Sequence, residues 1–191
     1  RDAARRLLSA FKVPSVWLAV DSDDAVPRKA TGKVDVPRLR ALLREHPGWL
    51  DGHRNLSHLA WTLGEGDDSD RSYRDALRRF PRDQALWQGL VVMLVQAGRF
   101  ERALAAIADA RSVIGDQAFL VANEAAARSE LRQDAAADAA FARLAGISDV
   151  AVAIRRVRHL LRTARHDAAR DVAEPWLDRP GGEGMWPYVR S

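Results

Sequence analysis

From residue 46 onward, short amphipathic stretches alternate with Gly- and Pro-marked breaks. Pro47, Pro81, Gly115 and Asp149 stand 34 residues apart, and the residues between them repeat in kind. A fixed period of that length marks a stack of helical hairpins. Each unit predicts two amphipathic helices joined by a tight turn. In the first unit Leu56 and Ser57 lie on the first helix, Gly64 ends it, and Ser69, Tyr73 and Ala76 line the second. In the second unit Trp87 and Leu90 lie on the first helix, Gly98 makes the turn, and Ala103, Ile107 and Ala110 line the second. The third unit places Ala125, Ala137 and Phe141 at the same steps. Steps of three and four between these side chains give the helical period. Small residues let neighbouring helices approach closely, and a large one fills the gap beside them. Gly at the turn supplies the left-handed conformation that ends a helix cheaply, and Pro after the second helix fixes its stop. The fourth unit is about two residues short, with its turn at Ala164-Arg165-His166-Asp167 and Pro175 disturbing its last helix. The acidic run Asp67, Asp68 and Asp70 is expected to be a solvated turn.

The first 45 residues fall outside this period. Residues 2–11 suit a short helix with Leu7, Leu8 and Phe11 on its apolar side. Ser15 to Val20 is a short apolar run between Pro14 and an Asp-rich turn, which predicts a strand. Val26 to Asp35 reads as a polar loop, and Pro37 opens a helix through Leu39, Leu42 and Leu43 to His46. The expected fold class is mostly α: a solenoid of helical hairpins over about 46–180 with a small α/β segment over 1–45. Residues 181–191 read as the start of a further segment. A first residue that is not Met and an end within a fresh aromatic run predict a piece of a longer protein.

Charge then narrows the partners. The sequence pI is about 10.1, but residues 1–45 hold ten Lys/Arg against six Asp/Glu, while residues 46–191 hold twenty of each. A surface that tracks phosphates needs a cationic excess on the larger part, so nucleic acid is excluded. No stretch reaches the roughly 18 apolar residues of a membrane helix. The sequence has no cysteine, which removes disulfide, thiolate and zinc-ribbon chemistry and fits a cytoplasmic protein. The five histidines make no metal site: His53 and His58 lie on different sides of a helix, and no His-x-Asp pair exists. The three lysines are Lys12, Lys29 and Lys33. Two of them fall in the loop before Pro37, where an ammonium rather than a guanidinium is used.

Trp87, Leu90, Gly98, Ala103, Ala110 and the run Ala97-Gly98-Arg99-Phe100-Glu101-Arg102-Ala103 resemble the tetratricopeptide repeat. The first unit matches at Leu56, Gly64, Tyr73, Ala76 and Pro81, with His53 where that family usually has Trp. The third departs with Glu124 and Arg128 at usually apolar steps. The resemblance implies a curved stack whose concave face holds a protein or peptide. The candidate contact surface is a basic stripe: Arg155, Arg158, His159 and Arg162 share one helix face, opposite Ile154, Val157 and Leu161. It reads either as a solvated polar face or as a seat for an acidic peptide or a carboxylate.

A second resemblance lies upstream. Phe11-Lys12-Val13-Pro14, followed by Pro27-Arg28-Lys29-Ala30-Thr31-Gly32-Lys33-Val34-Asp35, is similar to the C-terminal lid of AMP-forming acyl-CoA synthetases and adenylation enzymes. That likeness implies a catalytic Lys33 in an intact parent, a hinge motif of Thr31, Gly32 and Asp35, and ATP, Mg and CoA as the parent's cofactors. In this chain it implies no cofactor and no activity of its own. The segment Pro37 to His46 serves, on the alternative reading, only to cap the repeats. Similar repeat arrays also precede iron- and 2-oxoglutarate-dependent oxygenase domains, and Met185-Trp186-Pro187-Tyr188 could lead into one. Three readings follow: a protein-binding scaffold, a ligase lid with an appended docking module, and the forepart of an oxygenase.

Overall fold

The structure, a computed structural model, describes residues 27–30, 34–177 and 179. These form α1 (Val36–Glu45), α2 (Leu50–Thr62), α3 (Gly66–Arg79), α4 (Gln84–Gln96), α5 (Phe100–Ile114), α6 (Ala118–Glu130), α7 (Asp134–Arg143), α8 (Val150–Arg162) and α9 (His166–Ala173), then a 3-10 turn at Glu174–Trp176. Helices α2 to α9 pair as four consecutive hairpins. The first helices of neighbouring hairpins also touch, α2 on α4, α4 on α6 and α6 on α8, so one face of the stack is made of first helices alone. The fold is a mostly α solenoid, as the period predicts. Among the described residues no helix is long and apolar enough to cross a membrane.

The turns inside the hairpins explain the period. Gly64, Gly98, Arg132 and Ala164 have φ of 81°, 68°, 60° and 59°. Past each one an N–H reaches five residues back: Glu65 to the Ala60 carbonyl (2.9 Å), Arg99 to Leu94 (2.9 Å), Gln133 to Arg128 (2.9 Å) and Arg165 to Leu160 (2.8 Å). This pattern satisfies carbonyls that the ending helix leaves open. Arg132 and Ala164 do it without glycine's freedom, at a cost of about 1–2 kcal/mol each.

The shortening lies one unit earlier than the sequence implies. Pro47, Pro81 and Gly115 each stand two residues before a helix N-cap, at Trp49, Asp83 and Gln117. Asp149 is itself the N-cap of α8, its carboxylate accepting from the Ala151 and Val152 N–H groups at 2.7 and 3.1 Å. The two missing residues therefore belong to the third unit. Its second helix, α7, has 10 residues where α3 and α5 have 14 and 15.

Most of the residues picked as core are buried, with Leu56 only half-buried. Ser57, Ser69, Ala76, Leu90, Ala103, Ala110, Ala125 and Ala137 are fully enclosed, and Tyr73, Trp87, Ile107 and Phe141 nearly so. Burial pushes the Tyr73 phenol up to about 12. His53 does the work of the Trp it replaces. Its Nε2 donates to the Pro47 carbonyl at 3.1 Å, as Trp87 Nε1 donates to Pro81 at 2.8 Å, so each ring N–H pins the turn that enters its unit. The apolar core is continuous from Tyr73 to Leu120, with separate clusters in the third and fourth units.

Two sequence expectations are corrected here. The acidic run is helix rather than loop: Asp67 and Asp68 open α3, where carboxylates suit the helix dipole. Asp70 is buried, held by Arg74 at 2.9 Å and by Arg102. The second correction concerns residues 1–45. What is described of them is one isolated antiparallel bridge, Arg28 to Val34, and α1, which packs on α2 through the enclosed Leu39 and Leu43. There is no β-strand among the described residues, whereas a ligase lid is a mixed α/β unit. The likeness to an AMP-forming ligase lid does not hold, and with it goes the ligase reading; Lys33, the residue to which that likeness gave a catalytic role, lies outside the described residues. Residues 36–45 instead form a helix packed on the first hairpin. The predicted helix 2–11 and strand 15–20 lie outside the described residues.

Candidate functional site

The described residues line a half-open cavity of about 200 Å3 on the face made by the first helices. Arg155, Arg158 and Arg162 of α8 form one wall, Ala126, Ser129 and Glu130 of α6 the floor, and Val95 of α4 with Phe100 of α5 the far wall. Spacing of three and four residues puts the arginines on one side of α8. Its opposite side buries Val157, with Ile154 and Leu161 half-buried.

The arginines differ in what holds them. Arg162 donates to the Asp134 carboxylate and to Ser129 Oγ at 3.2 Å. Arg155 donates from Nη1 to Asn123 Oδ1 at 3.3 Å. Burial lowers the Arg155 pKa from its ordinary value, Asp149 opposes that change, and Arg158 adds to it. Arg158 is the most exposed of the three.

His159 belongs to the predicted contact stripe, and the structure places it inside. It is 1% exposed. Its Nδ1 lies 3.0 Å from Ser129 Oγ, and its Nε2 lies 3.1 Å from Asp138. Its ring packs against Phe141 at 5.4 Å. Arg165 donates to the same Asp138 at 2.8 Å. Burial works to raise the Asp138 carboxyl, but the Arg165 and His159 hydrogen bonds outweigh it and hold the group below its ordinary value. His159 therefore fastens the fourth hairpin to the third, where their apolar clusters are separate. An offset of about 40–60° around α8 from Arg155 and Arg162 is enough to move this side chain from groove to core.

Of the remaining predicted site residues, Thr31, Gly32 and Lys33 lie outside the described residues. Asp35 caps α1, its Oδ1 accepting from Arg38 N–H at 3.1 Å. Among the described residues no group of His and carboxylates could hold a metal. Burial lowers the His58 pKa.

Sequence reasoning missed the floor and far wall. The signal was present once the two-residue deletion is placed in the third unit. Gln96, Glu130 and Arg162 then occupy the same step, 34 and 32 residues apart, and Val92, Ala126 and Arg158 another. It also missed the reason for Glu124. That carboxylate, only 8% exposed, takes Arg111 at 2.8 Å, Arg128 at 2.9 Å and Arg143 at 3.5 Å. Burial works to raise it, but bonds from Arg111 and Arg128 prevail and hold it below the usual carboxylate range.

No family model matches the sequence, and no curated protein matches it. Solved structures do match in fold. A thermophilic TPR protein of Thermus thermophilus superposes with a TM-score of 0.67 at 18% identity, over 81% of this chain and 87% of its own. Pseudomonas aeruginosa pilF gives 0.59 at 21% identity, over 71% and 63%. YrrB, a TPR protein with an unusual peptide-binding site, gives 0.60 at 13% identity, over 81% of both chains. The tetratricopeptide-type fold is thus shown by structure, and these likenesses bear on the fold alone.

Proposed function

We propose that this chain is a binding scaffold of the tetratricopeptide type, and that its cargo is an acidic peptide segment of a protein partner. The observation that carries this reading is the cavity on the first-helix face, with Arg155, Arg158 and Arg162 along one wall and Val95 and Phe100 along the other. A rigid helical face supplies shape. Guanidinium groups supply planar donors suited to carboxylates. A peptide-binding site on YrrB, a protein of the same fold, supports the same use of this one. A cytoplasmic setting, expected from the cysteine-free sequence, belongs to the same proposal.

The probe is a pool of fluorescein-labelled dodecapeptides with a fixed central Leu-Asp-Leu and otherwise random uncharged positions, read by fluorescence anisotropy. Saturable binding should weaken as salt rises, since exposed charges are screened over about 10 Å at 0.1 M. The double substitution Arg155→Glu with Arg158→Glu should abolish binding while the helical circular dichroism signal stays. Arg162 is left alone because reversing it would set two carboxylates against each other at Asp134. Binding that is unchanged in the double variant refutes the site.

A further inference from the structure

We infer that Arg155 is the residue that reads the ligand's charge, and that the groove selects a single carboxylate flanked by an apolar side chain. This rests on the peptide-binding reading above and deepens it.

The partly buried arginines of this stack are, as a rule, matched to carboxylates: Arg54 to Asp83, Arg74 to Asp70, Arg111 to Glu124, Arg128 to Glu124 and Arg165 to Asp138. In the groove, Arg162 follows the rule through Asp134. Arg155 does not. Its direct partner is the neutral Asn123 amide, and the acidic group that acts on it is Asp149. That carboxylate already accepts the Ala151 and Val152 N–H groups at the start of α8. The like charge of Arg158 adds to the cost of holding Arg155 in the wall. A carboxylate arriving there would answer a desolvated cation and relieve a like-charge contact together, whereas one arriving at Arg162 would have to displace Asp134. Interactions of a charge that is already desolvated are worth more than those of a solvated one.

The rest of the cavity limits what arrives with that charge. Glu130 stands on the floor and Asp134 holds Arg162, so the local cationic excess is small and a second negative charge on the ligand gains little. Val95 and Phe100 face the arginines, and an apolar side chain next to the acidic one fills that wall. Arg162 is a positioning residue: with His159, Ser129 and Asp138 it holds α8 against α6 and α7.

The test uses three dodecapeptide pools, alike except for a central Leu-Asp-Leu, Leu-Asn-Leu or Leu-phosphoserine-Leu, against the wild type and single variants. The Asp pool should bind the wild type more tightly than either other pool. Arg155→Gln should weaken the Asp pool about ten- to a hundred-fold, as expected for a lost charge-assisted hydrogen bond, and should make the Asp and Asn pools equivalent. Arg155→Lys should restore part of the difference. Arg162→Gln should lower the melting temperature yet keep the preference for Asp over Asn. Failure of all pools to bind, or Asp binding that survives the double charge reversal, refutes the groove itself. Loss of Asp binding in the double reversal together with a less than twofold effect of Arg155→Gln refutes only the assignment to Arg155. A phosphoserine pool that binds more tightly than the Asp pool refutes the single-charge selection.

Discussion

Gly89→Ala sets two effects of similar size against each other, and the structure decides between them. Gly89 lies within α4, where Ala is favoured over Gly by about 1 kcal/mol on helix propensity. A Cβ at this position would stand 2.5 Å from Tyr73 Oη, 2.6 Å from Cε1 and 2.7 Å from Cζ. Unstrained carbon contacts lie near 3.5–4.0 Å, so the ring has to retreat by about 1 Å. Tyr73 is 5% exposed within the main core, and a rigid ring cannot move its tip alone. Overpacking of that kind costs about 1–3 kcal/mol, and here it falls near the upper end because three ring atoms are involved. The net change should be a loss of about 1–2 kcal/mol. For a chain of this size each kcal/mol moves Tm by about 2–4 °C, so Tm should fall by about 2–8 °C in a circular dichroism melt. Tyr73→Phe in the Gly89→Ala background removes the nearest atom but leaves Cε1 and Cζ, so the rescue should be partial. A Gly89→Ala protein that melts at or above the wild type would refute the close packing of α3 against α4.

Three further outcomes follow from the same structure. Ala103→Glu should destabilise far more than Arg158→Glu, because Ala103 is fully enclosed and an unpaired buried carboxylate costs several kcal/mol, on the order of 3–5; similar melting temperatures would contradict the packing of the second hairpin. Ala164→Gly should raise Tm, since glycine relieves about 1 kcal/mol or more of strain at φ 59°, and an unchanged or lower Tm would contradict that turn geometry. Acid should destabilise the fold through Asp116, Glu124 and Asp138. Burial works to raise each of these, but arginine hydrogen bonds prevail and leave it below its ordinary value. Their contribution is therefore complete above the unfolded Glu value of 4.5 and lost as pH falls through the depressed folded values. Tm should fall slightly between about pH 7 and 5, where the half-buried His58 resists the proton that the unfolded chain takes up, and drop further below about pH 4, less steeply in Glu124→Gln; a Tm that rises on acidification would contradict the networks.

The sequence makes the repeat legible because packing and turn geometry each leave a periodic trace. Gly64 and Gly98 mark left-handed turns, and Ala103, Ala110, Ala125 and Ala137 mark close helix contacts. The third turn leaves no such trace, since Arg132 takes the left-handed conformation without being glycine. The period itself misleads at Asp149, where an exact 34-residue spacing falls on a different structural step because α7 is short. Polar burial is the other blind spot. His159 and Glu124 read as surface residues by type, and partners up to 30 residues away in sequence, such as Ser129, bring them inside. The groove needed both facts at once, since its arginines are visible on α8 but its floor and far wall come from three other helices. Upstream, the short Thr31-Gly32-Lys33 motif could not establish a domain, and the adjoining helix packs on the first hairpin.

Where an acidic peptide sits on the stack is the deciding question. The direct measurement is a 15N backbone NMR titration of the whole chain with the tightest-binding peptide of the Leu-Asp-Leu pool. The expected result is saturable shifts at Val95, Ala126, Ser129, Arg155 and Arg158, on α4, α6 and α8, that are absent with the matching Leu-Asn-Leu peptide. Shifts concentrated on α3, α7 and the part of α5 beyond Phe100, or identical for the two peptides, would contradict it.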